Sequence, residues 1–209
     1  MHAGTLPVHA QDALAKLGKS KIFSSCYLAG GSALALYLGH RISVDLDFYT
    51  RDKILAGDIP PYLAKLGTFT ISMLEPPHTI IGEFNRTKLS LFRYDYPMIG
   101  DFSLFNNIKI ASTSDIAAMK LSAISGRATK RDYVDLYFLA MIYKTDEMID
   151  FYIKKFGKLS NNIYVIVKAL GFFQDAEDDV MPKMIEKVSW QEVKDFFAKE
   201  TIRLARKWI

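Results

Sequence analysis

Two aspartates separated by one residue, Asp45 and Asp47, are the first place where this chain could do chemistry. They lie in Val44-Asp45-Leu46-Asp47-Phe48, whose alternation predicts a β-strand. Side chains two apart on a strand face the same way. The carboxylates are therefore predicted to point together, with Val44, Leu46 and Phe48 on the opposite, buried face. Adjacent carboxylates repel unless a cation lies between them. Magnesium suits that position, because it is held by one or two carboxylates together with substrate phosphates. A bare D-x-D is also an ordinary half-exposed strand with two solvated aspartates, so the pair needs support from elsewhere in the chain.

That support begins at Gly30-Gly31-Ser32, between an apolar run and a short helical segment. Paired glycines let the backbone approach a ligand closely, and a helix N-terminus offers free N–H groups to a phosphate. The spacing is neither a Walker loop nor a dinucleotide fingerprint. Between Gly31 and Asp45 there is room for one short helix and a turn, which would make the phosphate loop and the carboxylate strand neighbours. His40, Arg41 and Ser43 fall within that turn and supply a cation and donors. A third feature is Lys120, at helical spacing with Ile116 and Ile124 along an apolar stripe. A lysine there either snorkels outward or meets an anion. The cluster Arg127, Lys130, Arg131 and Asp132, followed by Asp135, suits a triphosphate.

The elements that must position these residues follow from periodicity. A helix is predicted over 8–19, with Ala10, Ala13, Leu14 and Leu17 at helical intervals, then an apolar strand-like run over 26–29. A helix over 32–38 is ended by Gly39, and one over 53–66 is expected to break at Pro60-Pro61. TFTISML, TIIGEF and KLSLFRY are β-rich, and NIKIA follows a polar turn at Asn106-Asn107. From Ser114, taken as an N-cap, the pattern turns helical through five segments, including NNIYVIVKALGFF and WQEVKDFFAKETIRLARKW. The expected organisation is a mixed α/β region over 1–112 and a helical region over 113–209 that completes the site and packs on the first.

Composition bounds the alternatives. The chain has 209 residues, of which 50% are hydrophobic, 24% charged and 13% aromatic, which excludes a disordered or fibrous protein. One cysteine, Cys26, excludes a disulfide scaffold and any multi-cysteine zinc site, and reads as inert core. The net charge of +4 permits a polyanionic partner without demanding one. Residues 22–39 carry no formal charge, but Ser24, Ser25, Gly30, Gly31, Ser32 and Gly39 interrupt them. The expectation is a cytoplasmic chain with no membrane segment. His2, His9 and His78 lack metal-ligand spacing, and His40 reads as a turn residue. Tyr137-Phe138, Phe172-Phe173 and Phe196-Phe197 read as helix packing.

Together, GGSALALYLGHRISVDLDFY at 30–49 and IASTSDIAAMKLSAISGRATKRDYVDLYFL at 110–139 resemble the nucleotidyltransferase family of AbiEii-type toxins, from bacterial toxin–antitoxin and abortive-infection systems. The resemblance covers roughly residues 20–145. It implies an α/β (α+β) polymerase-β-like nucleotidyltransferase core with a mixed sheet, followed by the helical region. It implies that Asp45 and Asp47 hold two catalytic Mg2+ ions and that Gly30, Gly31 and Ser32 grip the triphosphate of an NTP. Arg41 and Ser43 would bind or orient phosphate. Lys120 and Asp132 would complete the catalytic set, with Arg131 on the nucleotide. Related transferases often carry a third carboxylate as general base. Asp95 lies in a turn-like Tyr-Asp-Tyr-Pro, so the base stays open between Asp132 and a metal-activated hydroxyl. The expected reaction moves an NMP from an NTP to an RNA, such as a tRNA, or to a protein acceptor, with release of pyrophosphate. A separately encoded antitoxin is the expected partner. The alternatives are a non-catalytic nucleotide- or partner-binding protein, or a small-molecule nucleotidyltransferase of the antibiotic-modifying kind.

Overall fold

The computed structural model describes residues 1–54, 57–157 and 163–208. They form two units, Met1–Pro97 with Asp101–Ala111, and Met98–Gly100 with Ser112–Ile209.

The first unit is built on a central antiparallel pair of short strands, β1 (Tyr27–Ala29) and β2 (Leu46–Thr50), in which Ala29 stands opposite Asp47 and Tyr27 opposite Tyr49. Parallel neighbours flank the pair on both sides. β5 (Thr87–Arg93) lies beside β2, and β7 (Ile108–Ile110) beside β1. β3 (Phe69–Glu75), β4 (Thr79–Phe84) and β6 (Ser103–Phe105) add antiparallel pairs, giving a mixed sheet in the order β3-β4-β5-β2-β1-β7-β6. Two hairpins close through paired residues of positive φ, Asn85-Arg86 and Asn106-Asn107. That backbone matches the twist of the strands it joins, which is why the asparagines suit it.

Strand alternation sends Leu28, Leu46, Phe48, Ile80, Leu89 and Leu91 into the core, each at most 1% exposed. Phe23 meets Phe48 edge to face, ring centroids 4.8 Å apart. Helix α1 (Val8–Gly18) buries Ala10, Ala13, Leu14 and Leu17, as its spacing predicts. Helix α2 (Gly30–Leu38) packs on β1 and β2 and ends on Gly39 in the left-handed conformation.

Two expectations for this unit change. Val44 is 46% exposed rather than buried, because β2 begins at Leu46 and the alternation has not yet started at residue 44. Helix α3 spans Ile59–Leu66, so Pro60 and Pro61 open a helix rather than break one. Their fixed φ and missing N–H groups cost nothing in a first turn, where those donors have no helical partner. Part of the expected helix, residues 55 and 56, lies outside the described residues.

The second unit is helical. α4 (Thr113–Gly126) packs on α5 (Lys130–Leu139), α6 (Thr145–Phe156) and α7 (Ile163–Leu170), and α8 (Trp190–Trp208) packs on α5 and α7. Asn161 and Asn162, which begin the predicted NNIYVIVKALGFF helix, lie outside the described residues. The cap of α4 is Ser112, not Ser114: the Ser112 oxygen accepts the Asp115 N–H at 3.0 Å. Ser114 already sits in the first turn, and its hydroxyl bonds that of Ser112 at 2.8 Å. At the centre of the unit the Tyr133 hydroxyl faces the carbonyls of Ala169 and Phe172 at 2.6 and 2.5 Å, and burial pushes its pKa up. Phe173, Trp190 and Phe197 surround the ring.

Among the described residues no helix is long and apolar enough to cross a membrane.

Candidate functional site

The chain leaves β1 at Ala29 and turns directly into α2 through Gly30, whose φ of 69° is the left-handed conformation that glycine adopts without strain. That turn brings the first motif together. A Cβ added at Gly30 would lie 3.3 Å from Oδ2 of Asp47, and one at Gly31 would lie 2.3 Å from Nη2 of Arg41 and 3.3 Å from Oγ of Ser43. The absence of side chains at both positions is therefore what lets the carboxylate and the guanidinium close on the start of the helix. Arg41 is 3% exposed and Ser43 7%, and Nη1 of Arg41 donates to the Ile42 carbonyl at 3.1 Å.

Ser32 ties the return segment to the helix. Its hydroxyl donates to Ser43 Oγ at 2.9 Å and also contacts the Asp45 carbonyl oxygen. The Ser32 side chain thus holds the backbone from which Asp45 projects. Asp45 stands one residue before β2, both aspartates are half-buried, and Asp47 lies between the buried Leu46 and Phe48. The first unit therefore brings Gly30, Gly31, Ser32, Arg41, Ser43 and Asp47 to one place. His40, read as a turn residue, is fully buried beside Gly39.

Chemically, the residues brought together offer backbone N–H groups at a helix start, a buried guanidinium and the Asp47 carboxylate, with Asp45 two residues away in the chain. Helix-start N–H groups and a guanidinium are groups able to accept a phosphate, and a carboxylate is able to accept a cation. Among the described residues no group of three or more His, Cys, Asp or Glu side chains is arranged to hold a metal. Two carboxylates fit Mg2+, which completes its shell with phosphate oxygens and water, better than they fit an all-protein metal cage.

On the next strand, β5, the residue in register with Asp47 is Ser90, so no carboxylate stands there. Asp95 lies beyond the end of β5, 63% exposed at its side chain, and pairs with Arg93 at 3.0 Å.

In the second unit, Lys120 is buried along α4 and meets an anion rather than snorkelling. Its ammonium lies 2.8 Å from Asp132 Oδ1 and 2.6 Å from Asp135 Oδ2. Asp132 is fixed further by the Thr129 hydroxyl at 2.6 Å, and Thr129 caps α5 by accepting the Asp132 N–H. Arg131 is exposed beside them. Lys130 is taken up structurally: its ammonium donates to the carbonyls of Glu177 and Asp179 at 3.0 and 2.7 Å and lies over the Trp190 ring.

Sequence reasoning missed one charged centre. Asp115 and Lys155 form an ion pair of 2.6 Å with both side chains fully buried, and Asp115 also accepts the N–H groups of Ile99 and Gly100 and the Ser112 hydroxyl. Cys26 is 3% exposed, and burial pushes its thiol pKa up to about 11.

The family model described as nucleotidyl transferase AbiEii toxin, type IV TA system, matches residues 12–88 and 93–207. An uncharacterized protein of Aquifex aeolicus (strain VF5) is 34% identical over 196 residues, 91% of this chain and 93% of that protein. Among solved structures, the chain is similar to the nucleotidyltransferase toxin MenT4 of Mycobacterium tuberculosis H37Rv, with TM-score 0.54, 15% identity, and 96% and 87% of the two chains covered. It is also similar to JHP933 of Helicobacter pylori, with TM-score 0.51, 18% identity and 97% of each chain covered. At those identities the structural likeness establishes the fold, which is that of the nucleotidyltransferases.

Proposed function

Because the chain belongs to the AbiEii nucleotidyltransferase toxin family, we propose that it transfers an NMP from an NTP to a hydroxyl of an RNA, such as a tRNA, or of a protein acceptor, releasing pyrophosphate. Family membership supports nucleotidyl transfer and a toxin role, and with them an NTP substrate and an antitoxin partner. The observation that carries the finer reading is the convergence of Gly30, Gly31, Arg41, Ser43 and Asp47 at the start of α2.

In this reading the β- and γ-phosphates lie on the N–H groups of the first turn of α2, with the Arg41 guanidinium and the Ser43 hydroxyl as donors. Ser32 acts through Ser43 and the Asp45 backbone, keeping both in place as the triphosphate enters. Asp45 and Asp47 would hold two Mg2+ ions, which when bound activate the attacking hydroxyl and neutralise charge on the attacking and leaving oxygens. The acceptor oxygen bonds to the α-phosphorus as the bond to the β-phosphate oxygen breaks, and the hydroxyl proton leaves to a base or to solvent. Lys120, Asp132 and Arg131 keep the roles that the resemblance gives them, with Asp135 as a second carboxylate holding Lys120. A cytoplasmic location and a separately encoded antitoxin belong to the same proposal.

The test is to incubate the purified protein with each α-labelled NTP, Mg2+, and total RNA or cell extract. Label moving into an RNA or a protein band identifies donor and acceptor together. Nucleotide binding without transfer under any divalent metal would contradict the reading.

A further inference from the structure

A short turn ahead of α1, outside both motifs, brackets the segment that carries Arg41 and Ser43. Ala3–Thr5 form one turn of 3-10 helix. Just before it, the His2 N–H donates to the Leu36 carbonyl at 2.7 Å, in the last turn of α2, where carbonyls have no helical partner. The His2 ring lies against Gly39, where an added Cβ would stand 2.8 Å from Nδ1. At the other end of the bracket the Ser43 N–H donates to the Thr5 carbonyl at 2.9 Å. Thr5 joins the two ends. Its hydroxyl donates to the His2 carbonyl at 2.7 Å, and its N–H donates to the same oxygen at 3.0 Å. Thr5 is 1% exposed and the following Leu6 2%, so the turn is seated in the core of the first unit.

The return from α2 to β2 is thereby tied at Leu36 and at Ser43 to a single turn, and Arg41 stands between the two ties. Ser43 is held on two sides, by the Ser32 hydroxyl at its side chain and by the Thr5 carbonyl at its backbone. The Arg41 guanidinium lies against Gly31. Donors aimed at a phosphate chain are effective only where their backbone is fixed, since a displacement of about 1 Å far from the chemistry is enough to weaken them severely.

We propose that Thr5 is a positioning residue for the phosphate site. By joining its hydroxyl to the His2 carbonyl and its carbonyl to the Ser43 N–H, it keeps Arg41 and Ser43 at the glycine turn, and it acts through them rather than on the nucleotide. The inference rests on the nucleotide reading above and deepens it with a residue that neither motif contains.

The experiment measures binding to the full chain by calorimetry, with Mg2+ and the α,β-methylene analogues of ATP, GTP, CTP and UTP, which cannot release pyrophosphate. The analogue that binds tightest is carried forward, with its parent nucleoside as the phosphate-free comparison. Thr5→Val keeps the branched shape and removes the hydroxyl. It is expected to weaken the analogue about fivefold, the worth of one hydrogen bond, and to leave the nucleoside within twofold. Thr5→Ser, which keeps the hydroxyl, is expected to stay within twofold of wild type. In an Arg41→Gln background, Thr5→Val is expected to add less than twofold, because the group it positions is gone. Full affinity in Thr5→Val overturns the proposal, as does an equal loss of analogue and nucleoside, which marks a purely structural role. So does a Thr5→Ser variant as weak as Thr5→Val, or a further loss of twofold or more in the Arg41→Gln background. A wild-type protein that binds the analogue no tighter than the nucleoside overturns the phosphate reading of the glycine turn and this proposal with it. Strong phosphate discrimination in wild type that Thr5→Val retains in full overturns the positioning alone, which separates the two.

Discussion

Adjacent glycines make different demands, and substituting each separates stability from function. Gly30 has φ of 69°, a conformation that costs a side-chain-bearing residue about 1–2 kcal/mol. Gly30→Ala is expected to lower the free energy of unfolding by that amount in a denaturant titration. Gly31 lies inside α2, where alanine is favoured over glycine by about 0.5–1 kcal/mol. Its obstacle is the end of a flexible side chain, Arg41 Nη2. Gly31→Ala is therefore expected to leave the melting temperature unchanged or raised, while displacing the guanidinium and lowering transfer about tenfold. A fully active Gly31→Ala would show that Arg41 does not need its place on the turn. At Cys26 the raised pKa leaves roughly one part in a thousand as thiolate at pH 8. A thiol reagent should modify it slowly in native protein and rapidly in denaturant. The Asp115–Lys155 pair was not legible in the sequence, because a helical pattern shows which face a residue occupies but not which charge from a distant helix it will meet. Lys155→Met strands a buried carboxylate and is expected to cost about 3–5 kcal/mol, read by chemical denaturation.

Among the elements, those with strong periodicity were legible and those made by pairing were not. The spacing of Leu14 and Leu17 defined α1, and Gly39 the end of α2. β6 left no pattern, since Leu104 is 71% exposed and the strand exists only through its pairing with β7. Helix ends turn on single hydrogen bonds, which is why the expected cap, Ser114, falls two residues past the actual one, Ser112. Ser112→Ala removes the cap of α4 and is expected to cost about 1–2 kcal/mol, whereas Ser114→Ala should cost less than about 0.5 kcal/mol. Helix α8 carries a pH-dependent clasp. Arg203 lies 2.6 Å from Asp146 and 2.8 Å from Glu200, and Lys207 lies 2.7 Å from Asp146. Burial pushes the Asp146 carboxyl upward, but Lys207 and Arg203 outweigh it and hold it below its usual range; Arg203 does the same for Glu200. Because both folded pKa values are depressed, the contribution is present above the unfolded carboxylate values near 4. It is lost as pH falls through the folded ones. Tryptophan fluorescence, reporting on Trp190 and Trp208, is expected to change below about pH 4 and at higher pH in strong salt. A flat profile down to pH 2 would show that the clasp does not hold α8.

For the whole molecule, the order of elements and the first motif carried most of what could be read. A dense local motif folds onto itself: Gly30 to Asp47 spans one helix and one return, and Gly30, Gly31, Ser32, Arg41, Ser43 and Asp47 meet within the first unit. Neighbours across the sheet could not be read that way, because Tyr27, Tyr49 and Phe92 come from separate segments that only sheet register brings side by side. The central claim is that the carboxylates beside the glycine turn serve nucleotidyl transfer. Its most direct test is the rate of α-labelled NTP incorporation by Asp45→Asn and Asp47→Asn, each verified as folded by its melting temperature. Loss of incorporation by about a hundredfold or more in both, with NTP still bound, is the predicted result. Incorporation at the wild-type rate in either variant would contradict it.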